Sequence, residues 1–521
     1  MKRNITYEVN GKTYKRRTRY VPVRFGFAVL IGFASTLLVI AIVVAMLIFV
    51  PYFYIPLIIA HFAVVIQIIA SDNNPDFKIP WLVLILCLPV IGFMLYYMFA
   101  QRKLRKKFVK RLNALQGISY NHDDEGSFEK LGEENAVALS QAKSVCKIAN
   151  THAFVGTEQK YFSSGEEMFA AMCEDLKQAE KFVFMEYFII EQGVFWTTIL
   201  EILKEKVSQG VEVRVVYDDI GCMKTLHGNY VKTLNKMGIK ATVFSRLRGK
   251  ADSEFNNRSH RKITVIDGKI GYTGGVNLAD EYINEVERFG HWKDGGVRLE
   301  GKAVYELTKL FLTDYFINVK EPDAPQNDYF PDCGRKEAKG VIIPFGDGPR
   351  PIYERRVGKT VIQNILHGAT DYAYITTPYL IIDNELCTDI ENTALRGVKV
   401  RIIVPHIPDK KIIFAMTRSY YSRLLKAGVE IYEYKEGFVH LKSYLADDKY
   451  GMIGTINLDY RSLVHHFENG VWLYDCDCLN DLKKDMEQTL EKCVKIEQDS
   501  LKHSLLNRFF CSLIKIFAPL M

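Results

Sequence analysis

The stretch that decides the reading is His260-Arg-Lys262-Ile-Thr-Val-Ile-Asp267, with Gly274-Gly275-Val-Asn277 behind it. A second copy stands 180 residues further on: His440-Leu-Lys442-Ser-Tyr-Leu-Ala-Asp447, followed by Gly454-Thr455-Ile-Asn457. In both copies a glycine falls at +14 and an asparagine at +17 from the histidine. One His-x-Lys-x4-Asp frame arises by chance in roughly a few per cent of chains this long at ordinary residue usage. Two copies with equally spaced flanks say that the chain contains one unit twice.

The segments upstream of each copy agree. Residues 181–190 read as a buried strand, a helical stretch follows from about Thr197 to Gln209, and 210–217 alternate apolar and charged residues as a strand does. In the second half, 371–380 mirror the first strand and 394–405 the second. Met237-Gly-Ile-Lys and Ala427-Gly-Val-Glu then lead through a further strand to each motif. Strands alternating with helices predict an α/β fold with mostly parallel strands covered by helices. We expect the halves at 151–330 and 331–521.

Within an extended motif, His260 and Lys262 share one face, as do His440 and Lys442. The apolar Ile263, Val265 and Ile266 tie the segment to the core, and Asp267-Gly268 or Asp447-Asp448 supplies a turn. Each half offers one motif imidazole. A displacement that needs a nucleophile and a proton donor takes two, so the halves are expected to face each other across a pseudo-two-fold axis. The chemistry suits a phosphodiester. A neutral imidazole attacks phosphorus, and a protonated one protonates the leaving alkoxide. Lys262 and Lys442 supply point charge for the non-bridging oxygens, so no metal and no cofactor is expected. Asn277 and Asn457 are expected to donate to the same oxygens, and the Gly274-Gly275 and Gly454-Thr455 turns to let the backbone come close.

The charge is not spread evenly. Residues 1–24 carry +7 and 101–111 another +7, whereas 25–100 carry −1, which leaves 112–521 at −6. An acidic catalytic region disfavours a broad nucleic-acid surface, which needs a basic face. Between the basic segments lie three apolar stretches, 25–50, 52–70 and 79–99. The first is long enough to span a bilayer, which takes about 20 apolar residues. We therefore expect a basic cytoplasmic arm (1–24), a multi-pass membrane region (25–100) and a basic linker (101–150). Loops rich in Lys and Arg stay cytoplasmic. Two such segments imply an even number of crossings, so three full spans conflict with the charge pattern unless one segment is re-entrant or the rule fails at one end. The catalytic region is expected on the cytoplasmic side, its basic run against anionic headgroups. Ten cysteines without Cys-x-x-Cys spacing read as reduced thiols.

Both motifs and their glycine and asparagine flanks resemble the phospholipase D superfamily and, more narrowly, bacterial cardiolipin synthase. The narrower likeness rests on Gly274-Gly-Val-Asn-Leu-Ala-Asp-Glu-Tyr282, on Gly454-Thr-Ile-Asn-Leu-Asp-Tyr-Arg-Ser462 with Phe467-Glu468, and on the apolar segment from Ile79-Pro-Trp81 to Tyr97. The resemblance implies a duplicated phospholipase D-like α/β domain, with two mixed sheets flanked by helices, behind an N-terminal helical membrane region. It implies transfer of a phosphatidyl group between two phosphatidylglycerols through a phosphohistidine, giving cardiolipin and glycerol. By the same likeness His260 is the nucleophile and His440 the acid and then the base. Asp267 and Asp447 complete the catalytic sets by supporting motif geometry. Glu186 and Glu468 are supporting acids, Glu186 a candidate to orient a histidine, with a structural role the alternative for both. His465-His466 departs from the Leu-Asn that commonly precedes Phe-Glu, and 52–70 is an additional apolar segment.

Two other functions fit parts of the pattern. A membrane-bound phosphodiesterase acting on phospholipid or nucleic acid shares the mechanism and uses water as acceptor. A membrane scaffold keeps the fold without turnover, but two intact sets argue against it.

Overall fold

The computed structural model describes residues 5–9, 11–16, 23–49, 54–71, 73–97, 106–115, 120, 126–246, 256–319, 327–501 and 513–520. Two large mixed sheets carry its body. Across the first, the strand order is Glu158–Phe162, Gly296–Glu300, Ile270–Gly274, Lys262–Ile266, Phe182–Tyr187, Glu212–Asp218 and Lys240–Phe244. Across the second it is Val341–Asp347, Glu468–Tyr474, Tyr450–Gly454, Ser443–Ala446, Tyr372–Thr376, Lys399–Pro405, Glu430–Tyr434 and Cys493–Lys495. Apart from the last strand, the two orders correspond place for place.

Within the two large sheets, parallel pairing is confined to the strand–helix units upstream of each motif. The motif strands fold straight back on themselves, so the sheets are mixed where the alternation predicted mostly parallel strands. The cause is the turn. Asp267 and Gly268 stand at φ 53° and 67°, and Asp447 and Asp448 at 54° and 58°. Paired positive-φ residues suit tight hairpins and the right-handed twist of their strands. Each motif strand therefore runs antiparallel to the strand after it, in the registers Ile263↔Thr273 and Ser443↔Ile453.

The sheets share a core. Helix Val304–Asn318 buries Leu307, Leu310 and Phe311 among Ile263 and Val265 of the first sheet and Ile342, Leu445 and Val471 of the second. Each such side chain contributes about 1.5–3 kcal/mol on leaving water, so neither half has a complete core without the other.

The N-terminal region contains helices Val23–Phe49, Tyr54–Ala70, Pro75–Cys87 and Pro89–Leu95. Among the described residues no helix is long and apolar enough to cross a membrane. Within the apolar stretch 79–99 the chain forms two short helices, broken at Leu88 before Pro89, which has no N–H to continue the ladder. The first of them docks on the second half. Phe77 packs edge-on against Tyr460 at 5.5 Å and His465 at 6.3 Å, and the Tyr460 hydroxyl donates to Asp76 at 3.0 Å.

Candidate active site

Each motif histidine sits just before its strand, on backbone stitched to the opposite half. His260 N–H donates to the Phe467 carbonyl, and Phe467 N–H donates to that of Arg258, both at 2.8 Å. In the other half His440 N–H donates to the Lys293 carbonyl at 2.7 Å, and His291–Lys293 pairs with Gly437–Val439. These seams carry the next residues, Glu468 and Asp294, onto the imidazoles. His260 Nδ1 lies 3.0 Å from both Glu468 carboxylate oxygens, and His440 Nδ1 lies 2.6 Å from Asp294 Oδ2. Each half thus supplies the carboxylate that orients the other half's ring.

The residues opposite those carboxylates differ in the two halves for a steric reason. A methyl group at Gly275 would collide with the Asp294 carboxylate, so the first half needs glycine there. The second half has Thr455 instead, whose hydroxyl donates to Glu468 Oε2. Gly274 and Gly454 lie against the backbone of Gly295-Gly296 and Asn469-Gly470. They leave room for the strand that presents each acid.

Lys262 Nζ donates to the His260 carbonyl at 2.7 Å, and Lys442 Nζ donates to that of His440 while lying 2.8 Å from its Nδ1. Burial pushes Lys262 down to about 7 and Lys442 to about 8. Burial, then Lys262, Lys442 and His440, holds His260 well below the usual histidine range, and burial and Lys442 lower His440 to about 4. That mutual influence gathers both histidines and both lysines into one electrostatic cluster. Burial alone would raise Asp294, but His440 and Lys442 outweigh it and hold the carboxyl below its ordinary value. Aromatic walls complete the cleft: Phe188 is 5.1 Å from His260, and Tyr282 and Trp292 are 5.4 and 5.5 Å from His440.

Other expected site residues serve the scaffold. Asp267 accepts backbone N–H groups of Glu180, Lys181 and Phe182 at 2.7–2.8 Å. Asp447 accepts those of Thr370, Asp371 and Tyr372 at 2.7–3.0 Å. Both lie at the far end of the motif strand and touch neither histidine. Asn277, expected on substrate oxygens, instead donates to the Tyr282 hydroxyl at 2.7 Å and accepts from Ile189 N–H at 3.1 Å. Asn457 donates to Asp459 at 3.3 Å and keeps a buried Oδ1 without a partner. Glu186 orients no histidine. It pairs with Ile263 across the sheet, which puts its side chain on the Arg261 face, opposite Lys262. There it accepts from Ser259 Oγ at 2.5 Å, and burial and the neighbouring Asp314 raise its carboxyl well above the ordinary range. The sequence reading missed Asp294. A signal for Asp294 existed: it stands two before Gly296, the partner of Gly274, just as Glu468 stands two before Gly470, the partner of Gly454.

Two corresponding sheets, two histidine–lysine pairs and a crossed pair of carboxylates define a duplicated phospholipase D-like domain. The family described as cardiolipin synthase, PLD-like domain, matches residues 172–288 and 362–490, and a phospholipase D-nuclease N-terminal family matches 59–101. The cardiolipin synthase of Alkalihalophilus pseudofirmus is 32% identical over 88% of this chain and 91% of its own length. An uncharacterised Streptococcus mutans protein is 41% identical over 88% of this chain and 99% of its own. The chain belongs to the cardiolipin synthase family of phospholipase D-like enzymes. A crystal structure of phosphatidylserine synthase from Haemophilus influenzae shares the fold, with a TM-score of 0.55 at 16% identity, covering 73% of this chain and 98% of that one.

Proposed function

We propose that this chain transfers a phosphatidyl group from one phosphatidylglycerol to another, releasing glycerol and forming cardiolipin. The observation that carries the proposal is the crossed clamp, His260 on Glu468 and His440 on Asp294. A carboxylate on Nδ1 favours the tautomer with its proton there and leaves Nε2 free to react. His260 Nε2 attacks phosphorus, and the bond to the headgroup glycerol oxygen breaks as His440 delivers a proton to it. The product is a phosphatidyl-histidine. His440, now neutral, takes a proton from the hydroxyl of a second phosphatidylglycerol. That oxygen attacks phosphorus, the P–N bond breaks and His260 is restored. Lys262 and Lys442 steady the anionic oxygens in both steps.

The apolar helices fit a bilayer-embedded substrate. The basic segments 1–24 and 101–111 suit the anionic face of a bilayer. The broken pair Pro75–Cys87 and Pro89–Leu95 adjoins the catalytic domain, with Phe77 packed on its second half. Incubating the purified chain with phosphatidylglycerol vesicles and separating the lipids tests the reading. Cardiolipin and free glycerol are expected. Phosphatidic acid alone would mean that water is the acceptor, and unchanged lipid would favour a scaffold.

A further inference from the structure

We propose that His260, His466 and Glu468 form a binding site for a zinc-class divalent cation, and that filling it silences His260. Among the described residues, these three buried side chains are the group able to bring three metal-ligand atoms within 4.8 Å of one another. The two imidazole centroids are 5.5 Å apart, and His466 Nδ1 is 3.7 Å from Glu468 Oε1. His466 itself points to a ligand. It is 6% exposed, yet neither ring nitrogen has a hydrogen-bond partner. Leaving buried polar atoms unsatisfied costs about 1–3 kcal/mol, and a metal bond would offset that cost.

The donor set selects the ion. Two imidazoles and one carboxylate form a three-ligand zinc site with its fourth position open. Magnesium and calcium want more oxygens than this corner offers. The ligand atoms need to draw in to the roughly 3.3 Å edge of a zinc tetrahedron. His466 has rings beside it, Phe188 at 6.2 Å and His260, and no hydrogen bond to break. Lys262 and Lys442, in the same cluster, repel a cation and make occupancy reversible.

Silencing follows from the tautomer. An ion on His260 Nδ1 takes the position of the proton facing Glu468, and the imidazole's one remaining proton goes to Nε2. The atom that attacks phosphorus then has no free electron pair. This step rests on the phosphohistidine reading, whereas the site does not.

The test titrates the full-length protein in detergent micelles with cobalt(II), comparing the wild type with His466→Asn. One cobalt per chain is expected, with the intense visible bands of a four-coordinate site, displaced by zinc and indifferent to magnesium. His466→Asn should weaken binding by more than about tenfold, since outer-shell changes alone cost 10–100-fold. Equal binding by the variant, or only weak six-coordinate cobalt in the wild type, would overturn the site. His466→Gln repeats the comparison should the shorter amide not fold. In phosphatidylglycerol vesicles zinc should stop transfer by the wild type, a chelator should restore it, and His466→Asn should keep working at the same zinc level. Continued wild-type turnover at saturating zinc would overturn the silencing. A protein that binds cobalt through His466 but makes no cardiolipin upholds the site and overturns the transfer reading.

Discussion

Glu468 holds His260 across the boundary between the halves: 208 residues separate them, yet both carboxylate oxygens lie 3.0 Å from Nδ1. Asp294 does the same for His440 from the opposite direction, at 2.6 Å. Neither half can orient its own histidine, so the duplication is a catalytic requirement as well as a packing one. The backbone seams at Ser259↔Phe467 and at His291–Lys293 with Gly437–Val439 set that geometry before any substrate arrives.

The first prediction removes the charge without removing the bulk. Glu468→Gln keeps the side-chain volume, but its amide no longer fixes the reactive tautomer of His260. The turnover number should fall by roughly 10²–10⁴, the range for a lost orienting carboxylate or proton-transfer partner, with the unfolding temperature nearly unchanged. Steady-state kinetics in mixed micelles beside a thermal melt checks this. A variant within a factor of two of wild type would deny Glu468 its orienting role.

Gly275→Ala is the matching test on the other side. Its methyl group collides with the Asp294 carboxylate, which must swing away and release His440. Activity should drop as far as in Asp294→Asn, and the double variant should be no worse than either single one. Additive losses in that double-mutant cycle would show that the glycine acts by another route.

What the sequence made legible, and what it hid, follows the range of each signal. The two histidine–lysine pairs and their turns are local patterns with fixed spacing, and the structure sets both pairs at corresponding places in the two sheets. Asp294 was hidden because its partner is 146 residues away, and only the glycine registers connect it to Glu468. Of the two roles open to Glu186, its strand position selects the structural one. In an extended chain neighbouring residues face opposite ways, so the acid beside Tyr187 points toward Arg261 instead of Lys262. The 79–99 segment carries Pro89 and Gly92 inside its apolar run, and the structure breaks it at Leu88–Pro89.

Asp267 should matter for stability more than for chemistry. Its carboxylate satisfies three backbone N–H groups at the entrance to strand Phe182–Tyr187. Asp267→Ala leaves those donors without that acceptor and puts a non-glycine residue with no polar side chain at φ 53°. A loss of about 1–3 kcal/mol is expected. Denaturant unfolding should reveal it, while the folded fraction keeps a near-normal Michaelis constant. Loss of turnover with unchanged stability would instead put Asp267 in the reaction.

The pH profile follows from burial of the two lysines. A lysine is charged below its pKa, and these stand near 7 and 8. In the free enzyme kcat/KM, already falling with pH because His440 must be protonated, should therefore fall more steeply as pH rises through that window. His260, kept well below its ordinary value, stays neutral there and ready to attack. His440, near 4 when the site is empty, needs a proton for the first step. A bound phosphodiester supplies negative charge beside both imidazoles and both lysines, which raises all four. The basic limb of kcat should accordingly lie at higher pH than that of kcat/KM. Lys262→Arg, always charged, should lower the rate but abolish the lower of the two ionisations. Profiles measured between about pH 5 and 9 decide it: a kcat/KM that climbs steadily past pH 8 would mean that the lysines' charge is not what the substrate meets.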